Sequence, residues 1–113
     1  MFEQADSWGG CFPTIRGGEV RLKVTVRDAA GEPQPNTELL IRWDGGEERF
    51  FTGLKPQNGS GYADFRLQKG QTYQVGIVGT PSDVATGITG DVCSTQDYLA
   101  SWEVVFQLVK PLP

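Results

Sequence analysis

Residues 20–27 put Val20, Leu22, Val24 and Val26 on one face of an extended chain and Arg21, Lys23, Thr25 and Arg27 on the other. An alternation this strict has the period of a strand and not of a helix, so the segment is a half-buried strand whose apolar face needs a second layer. The following Asp28, Gly31, Pro33, Pro35 and Asn36 end it: Gly31 accepts positive φ, and each proline fixes its own φ and removes a ladder donor. The chain returns over residues 37–43, where Leu39, Ile41 and Trp43 alternate with Glu38, Leu40 and Arg42. Two such segments joined by a turn-rich connection point to a β-sandwich.

The same pattern continues along the chain. Asp44-Gly45-Gly46 is a turn signal that closes a hairpin onto a short strand over residues 47–52, built around Phe50 and Phe51. Residues 53–61 hold Gly53, Pro56, Asn58, Gly59 and Gly61 and read as a loop. Strands are expected over residues 62–67, with Ala63, Phe65 and Leu67 on one side, and over residues 72–78, with Tyr73, Val75 and Ile77 sharing a face. Residues 84–89 fit a brief edge strand. Residues 102–110 form the last strand, with Trp102, Val104, Phe106 and Leu108 inward and Glu103, Val105, Gln107 and Val109 outward. Residues 97–100 are the one candidate for a helical turn. About seven strands with turns every eight to twelve residues make an all-β, Greek-key, immunoglobulin-like or prealbumin-like sandwich. Residues 19–110 are its single domain, preceded by an arm over residues 1–18 that has no period of two or of 3.6.

A chain of 113 residues with 15 glycines and 7 prolines suits one domain of short strands and tight turns. The net charge of −4 and the scattering of ten Lys and Arg residues argue against nucleic-acid binding, which needs clustered cations. No apolar run approaches the roughly 18 residues of a spanning helix, and the start lacks a charged-then-apolar leader. Met1-Phe2-Glu3 reads either as a cytosolic start or as the start of a segment cut from a longer protein, and the second reading is preferred.

No histidine is present, which removes Ser-His-Asp and Cys-His catalysis and every histidine-based metal site. The carboxylates Asp28, Asp44, Glu47, Glu48, Asp64, Asp83, Asp91 and Asp97 could in principle pair for glycoside hydrolysis, but most lie in predicted turns, where capping of backbone N–H groups is the usual role. Asp83, Asp91 and Asp97 lack the spacing of a calcium loop. No cofactor or metal is expected. Among the aromatics, Trp43, Tyr73, Trp102 and Phe106 read as core. Trp8, Tyr62 and Tyr98 sit in or beside loops, where exposed rings could stack on a glycan; the competing reading has Trp8 packing over an open end of the sandwich beside Cys11.

Cys11 and Cys93 are the only cysteines and have neither zinc nor CxxC spacing. Each lies several residues ahead of a strand, the first core strand and the last. If those two strands run side by side and parallel, both cysteines fall at one end and a disulfide ties the arm to the core; two buried thiols are the alternative. A bridge implies an oxidising compartment.

The run Val20-x-Leu22-x-Val24-x-Val26-x-Asp28-x-x-Gly31-x-Pro33, then Thr52 and Gly61-Tyr62-Ala63-x-Phe65-x-Leu67-x-x-Gly70-x-x-Tyr73-x-Val75, resembles the prealbumin-like carboxypeptidase-regulatory and collagen-adhesin B-type domains. The likeness covers residues 19–78, about half of the chain, and residues 93–106 look like the ending of such modules in extracellular multidomain bacterial proteins. It implies a repeat-type sandwich serving as stalk, spacer or accessory binding unit, and no chemistry. The Lys–Asn isopeptide bond of some adhesin modules is not expected, because Lys23 falls on the polar face and residues 102–110 hold no asparagine. The hydroxyisourate hydrolases and intradiol dioxygenases built on such sandwiches use histidines that this chain lacks.

The expectation is therefore a non-catalytic extracellular or cell-surface module, a spacer or interaction domain whose partners are the neighbouring domains of a longer chain, with a glycan or cell-surface protein as a further partner. A carbohydrate-binding accessory domain using Trp8, Tyr62 and Tyr98 is the alternative. The cysteine reading carries its own test. Thiol titration of the non-reduced, unfolded protein should find no free thiol, and Cys93→Ser should lower Tm, since closing so long a loop stabilises by about 4–5 kcal/mol in the chain-entropy account. Two titratable thiols would overturn the bridge.

Overall fold

A computed structural model describes residues 2–13, 21–68, 71–89 and 98–108, with the backbone alone described for residues 5–13 and 98–101. Its described residues form eight strands: β1 (Phe2–Pro13), β2 (Arg21–Arg27), β3 (Glu38–Trp43), β4 (Gly46–Phe51), β5 (Tyr62–Arg66), β6 (Thr72–Ile77), β7 (Val84–Thr89) and β8 (Tyr98–Leu108), with one short 3₁₀ turn at Pro56–Asn58. They make two four-stranded sheets. Sheet A has the order β1-β8-β2-β5, and sheet B the order β4-β3-β6-β7.

The all-β sandwich read from the alternation is the architecture found. Leu22, Val24 and Val26 of β2 meet Leu39 and Ile41 of β3, Val75 and Ile77 of β6, Ile88 of β7 and Val104 and Phe106 of β8 in one buried core. Every one of those side chains is under a tenth exposed. β2 and β8 run parallel, from Arg21 opposite Ser101 to Arg27 opposite Gln107. The side-by-side, parallel first and last core strands on which the cysteine reading depends are thus present. Cys11 lies on β1 opposite Ala100, whereas Cys93 lies outside the described residues.

Two parts of the chain differ from the sequence reading. The described part of the segment read as an arm is β1, which pairs antiparallel with β8 from Phe2 opposite Leu108 to Pro13 opposite Tyr98. Phe2 belongs to the core at 3% exposure, so the sandwich takes in chain well before residue 19. Alternation is illegible here for a physical reason: a bulge between Gln4 and Asp6 shifts the register by one residue and inverts the parity of everything beyond it. The second difference is at residues 98–100, the candidate helical turn, which open β8. Long-range pairing with Phe12 and Cys11 outweighs a weak local preference there.

The start of β1 also joins the two sheets. The Phe2 N–H donates to the Pro81 carbonyl (2.8 Å) and the Asp83 N–H donates to the Phe2 carbonyl (2.8 Å), while the Gln4 N–H donates to Asp83 Oδ2 (3.0 Å). Phe2 therefore bridges to Ser82, in the loop joining β6 and β7, while pairing with Leu108.

The loops at this end are held by a buried threonine. Thr52, with no exposed surface, accepts from the Thr37 N–H (3.0 Å) and donates to the Gln34 carbonyl (2.8 Å) through one hydroxyl. Gly61 has no room for a side chain in the same place: a Cβ would stand 2.4 Å from the Val26 carbonyl oxygen, the price of the close approach in which the Val26 N–H reaches the Gly61 carbonyl at 2.8 Å.

Replacing Thr52 with Val keeps the volume but strands the buried Thr37 N–H and takes a donor from the part-buried Gln34 carbonyl. We expect a loss of about 2 kcal/mol and a fall in Tm on the order of 10 °C, whereas Thr52→Ser retains both bonds and most of the stability. Thermal denaturation of the two variants side by side decides it, and a Val variant as stable as the Ser variant would refute the role given to the hydroxyl.

Candidate functional site

Two places concentrate polar chemistry around aromatic rings. The first is the outer face of sheet A. Alternation puts Tyr62 and Asp64 on the solvent side of β5, and register sets Tyr62 opposite Thr25 and Asp64 opposite Lys23. The Asp64 carboxylate is only 11% exposed. Lys55, from the loop ahead of β5, donates to both of its oxygens at 3.0 and 2.8 Å. The Tyr62 hydroxyl donates to Oδ2 at 2.9 Å, and Arg21 Nη1 stands 3.2 Å from the same oxygen.

Burial alone would raise the pKa of Asp64, but the hydrogen bonds from Lys55 and Tyr62 and the charges of Lys55 and Arg21 outweigh it and hold the carboxyl below its ordinary 3.8. Tyr62 moves the other way. Burial, then its bond to Asp64 and the negative charge there, push the phenol above its ordinary value. An acid held ionised by two cations and a phenol held protonated are poor proton-transfer groups near neutral pH. The arrangement fastens the loop over residues 53–61 to the sheet.

The second place is a cleft of 630 Å³ where β3 turns into β4, lined by Arg42, Trp43, Asp44, Gly46, Glu47, Thr72, Tyr73, Gln74, Thr86 and Gly87. Its volume falls in the range of small-molecule sites, about 300–1,000 Å³. Two local devices shape it. Asp44-Gly45 makes the hairpin turn, Gly45 taking φ +93° so that Trp43 pairs with Gly46. Across the sheet, β7 carries one extra residue between Ala85 and Ile88 against β6, and Gly87 takes φ +73° to accommodate it.

Behind the cleft, on the inner face of sheet B that also carries Leu39, Ile41 and Val75, an aromatic cluster packs against the core. The Trp43 ring lies 5.5 Å from that of Tyr73 and 6.1 Å from that of Phe65, and Phe65 in turn lies 5.7 Å from Phe50. A Cβ at Gly46 would sit 2.7 Å from Trp43 Cζ2, so the indole packs directly over the residue opposite it and only glycine leaves room for the ring. Arg42 Nε reaches Glu47 Oε2 at 3.1 Å, both side chains being more than half exposed.

The residues singled out in the sequence do not converge. Trp8 lies on β1 opposite Glu103, and Tyr62 on β5, the far edge of the same sheet; three strand spacings, about 14 Å, separate those backbones. Tyr98 pairs with Pro13 at the start of β8, about 23 Å along the strand from the row that holds Tyr62. The side chains of Trp8 and Tyr98 lie outside the described residues, and the Tyr62 hydroxyl is occupied by Asp64.

The remaining sequence readings fall as follows. Asp28 caps its own turn through Oδ1, accepting from the Ala30 (2.9 Å) and Glu32 (3.0 Å) N–H groups. Asp83 binds the Gln4 N–H, while Asp91 and Asp97 lie outside the described residues. No group of three or more potential metal ligands occurs among the described residues, and no helix among them is long and apolar enough to cross a membrane. Tyr73, Trp102 and Phe106 pack in or against the core as read, and the Trp102 indole N–H donates to the Thr89 carbonyl at 2.7 Å. Trp43 packs against the core as read, and the cleft bordered by Arg42, Glu47, Gln74 and Thr86 is what the sequence did not disclose.

The fold is that of an all-β sandwich. No protein-family model matches the chain, and no curated protein matches it. Among solved structures, the chain is similar to the C-terminal fragment of the pilus adhesin SpaC from Lactobacillus rhamnosus GG, with 12% identity and a TM-score of 0.49, over 85% of this chain and 47% of that one. The chain therefore spans about half the length of that fragment.

The electrostatics of Asp64 have a signed consequence. A carboxyl depressed in the folded state contributes stability above its unfolded pKa and loses it as pH falls through the folded value. Asp64→Asn should therefore lower Tm at pH 7, and the gap to wild type should narrow as pH drops below about 4. Calorimetry from pH 7 to pH 2 tests this, and a gap independent of pH would rule out the charge as its source.

Proposed function

We propose that this domain is a non-catalytic interaction module of a larger secreted or cell-surface protein, held at one end and presenting the other. The observation that carries the reading is the pairing of Phe2 with Leu108. The first and last described residues are neighbours, at the end where the Val26, Thr37, Thr52 and Pro81 backbones also meet. β3 runs away from that end to Trp43, so the cleft lies at the opposite pole. Neighbouring domains joined to both ends would meet at one pole, and the sandwich would stand off from them with its cleft outward. Of the two expected roles, spacer and interaction unit, this geometry favours the second, since a module that lengthens a stalk has its ends at opposite poles.

The satisfied state of Asp64 and Tyr62 supports a non-catalytic role for sheet A. The two four-stranded sheets with β2 and β8 parallel support the prealbumin-like resemblance, and with it a place among extracellular modules.

The test is adhesion. Beads coupled to the domain through its paired ends should be retained by at least one surface in a panel of polysaccharides and cell-surface proteins, without cleaving any of them. The double variant Gln74→Arg/Thr86→Arg alters two exposed side chains on the cleft wall and should lose that retention while keeping its Tm. Retention unaffected by the double variant, or turnover of any panel member, would sink the reading.

A further inference from the structure

We propose that β1 is a release strand: tension between the neighbouring domains peels it from β8 and passes the load to the parallel pair of β2 and β8, which then holds the rest of the sandwich together. The inference rests on the reading that neighbouring domains join this one at both of its ends.

The direction of load on each ladder sets the order. Phe2 lies opposite Leu108 and the two strands are antiparallel, so the ends stand side by side, about 5 Å apart. Pulling them apart acts across the strands. The bonds between β1 and β8 then meet the load one after another, as in a zipper, and a single backbone hydrogen bond traded against one to water contributes little net stability. β1 is the strand that leaves, because it is at the edge of sheet A whereas β8 is paired on both sides.

The start of the zipper carries a latch. Phe2 is buried in the core, its N–H and carbonyl bond to Pro81 and Asp83, and the Gln4 N–H bonds to the Asp83 carboxylate. Directly after Gln4 the bulge interrupts the ladder. Little therefore resists once the latch opens, and the strand is released as a unit.

The second ladder is loaded differently. β2 and β8 run parallel, from Arg21 opposite Ser101 to Arg27 opposite Gln107, so Arg21 stands at the pole opposite Leu108. With β1 gone, the force enters at Arg21, leaves at Leu108 and runs along the strands. It draws β2 and β8 past each other, and all of their hydrogen bonds share it at once. Sliding would also drag Leu22, Val24 and Val26 past Val104 and Phe106 inside the core, exposing apolar surface to water. Three strands of sheet A stay packed on four of sheet B, enough for a stable sandwich. The strands that border the cleft, β3, β4, β6 and β7, all belong to sheet B and lie outside the path of the load. Release therefore lets the neighbours separate by about 80–90 Å at full stretch while the presented pole stays folded.

The experiment is single-molecule pulling on the domain through handles at its two ends, with and without reductant. With reductant, two events are expected: a first that lengthens the molecule by about 80–90 Å, then a second, at higher force, that unfolds the remainder. The first event should persist without reductant, because the latch lies ahead of Cys11. Phe2→Ala should shift the first event to lower force and leave the force of the second unchanged. Asp83→Ala, a milder change that removes only the acceptor of the Gln4 N–H, should act in the same direction.

A single event of about 370 Å, the whole chain between Phe2 and Leu108 stretched at once, overturns the proposal. So does a first event confined to the reducing buffer, or one whose force is the same in both variants as in wild type. The adhesion experiment is made without tension, so its result stands apart from this one.

Discussion

Everything in sheet A hangs on β8 having a partner on each side. Its backbone pairs antiparallel with β1 and parallel with β2, while Val104 and Phe106 turn inward to no more than 1% exposure. Without it, β2 and β5 would be an isolated hairpin-like pair, and two strands with one apolar face do not hold together in water. Parallel pairing between β2 and β8 needs a connection across the whole domain, and the chain between them supplies it through β5 and the four strands of sheet B. The sandwich is in that sense closed by its last strand, and the order of the sheets follows from where β8 inserts.

The two poles that result are chemically different. At the pole where Phe2 meets Leu108, the loops are tied by backbone hydrogen bonds, by the Thr52 hydroxyl and by the close approach at Gly61. Polar groups there are turned inward and satisfied. At the other pole, the β3–β4 turn and the β7 bulge border a cleft whose exposed side chains, Arg42, Glu47, Thr72, Gln74 and Thr86, are polar. Strands carry its Arg42, Thr72 and Gln74, while turn and bulge set its width.

The charged side chains divide the same way. Around Asp64, three donors converge on one carboxylate, and that convergence fastens a loop over the outer face of sheet A. Arg49 and Glu38, at 3.2 Å, pair across β3 and β4 on the exposed face of sheet B, where such a pair contributes little stability. On β4, an edge strand, Glu47, Glu48 and Arg49 are exposed, which discourages another chain from adding to that edge.

Much of the fold was legible because alternation is a local property. Leu22, Val24 and Val26 declare their shared face within seven residues, and so do Leu39 with Ile41 and Tyr73 with Val75; Asp44-Gly45-Gly46 declares the hairpin by its own turn chemistry. These fixed which side chains face the core and where the chain reverses. What the sequence could not express is which strands become neighbours. The bulge in β1 hid a strand whose partner lies about a hundred residues away. Lys55, Arg21 and Asp64 are unremarkable until β2 and β5 pair, and Arg42 and Gln74 read as ordinary solvated positions until Thr86 and Gly87 arrive from β7 to border the cleft. The inward pattern was set by the period of the chain; the cleft, the two poles and the burial of Asp64 were decided by long-range pairing, because register between distant strands is a property of the whole sheet and is written in no single segment.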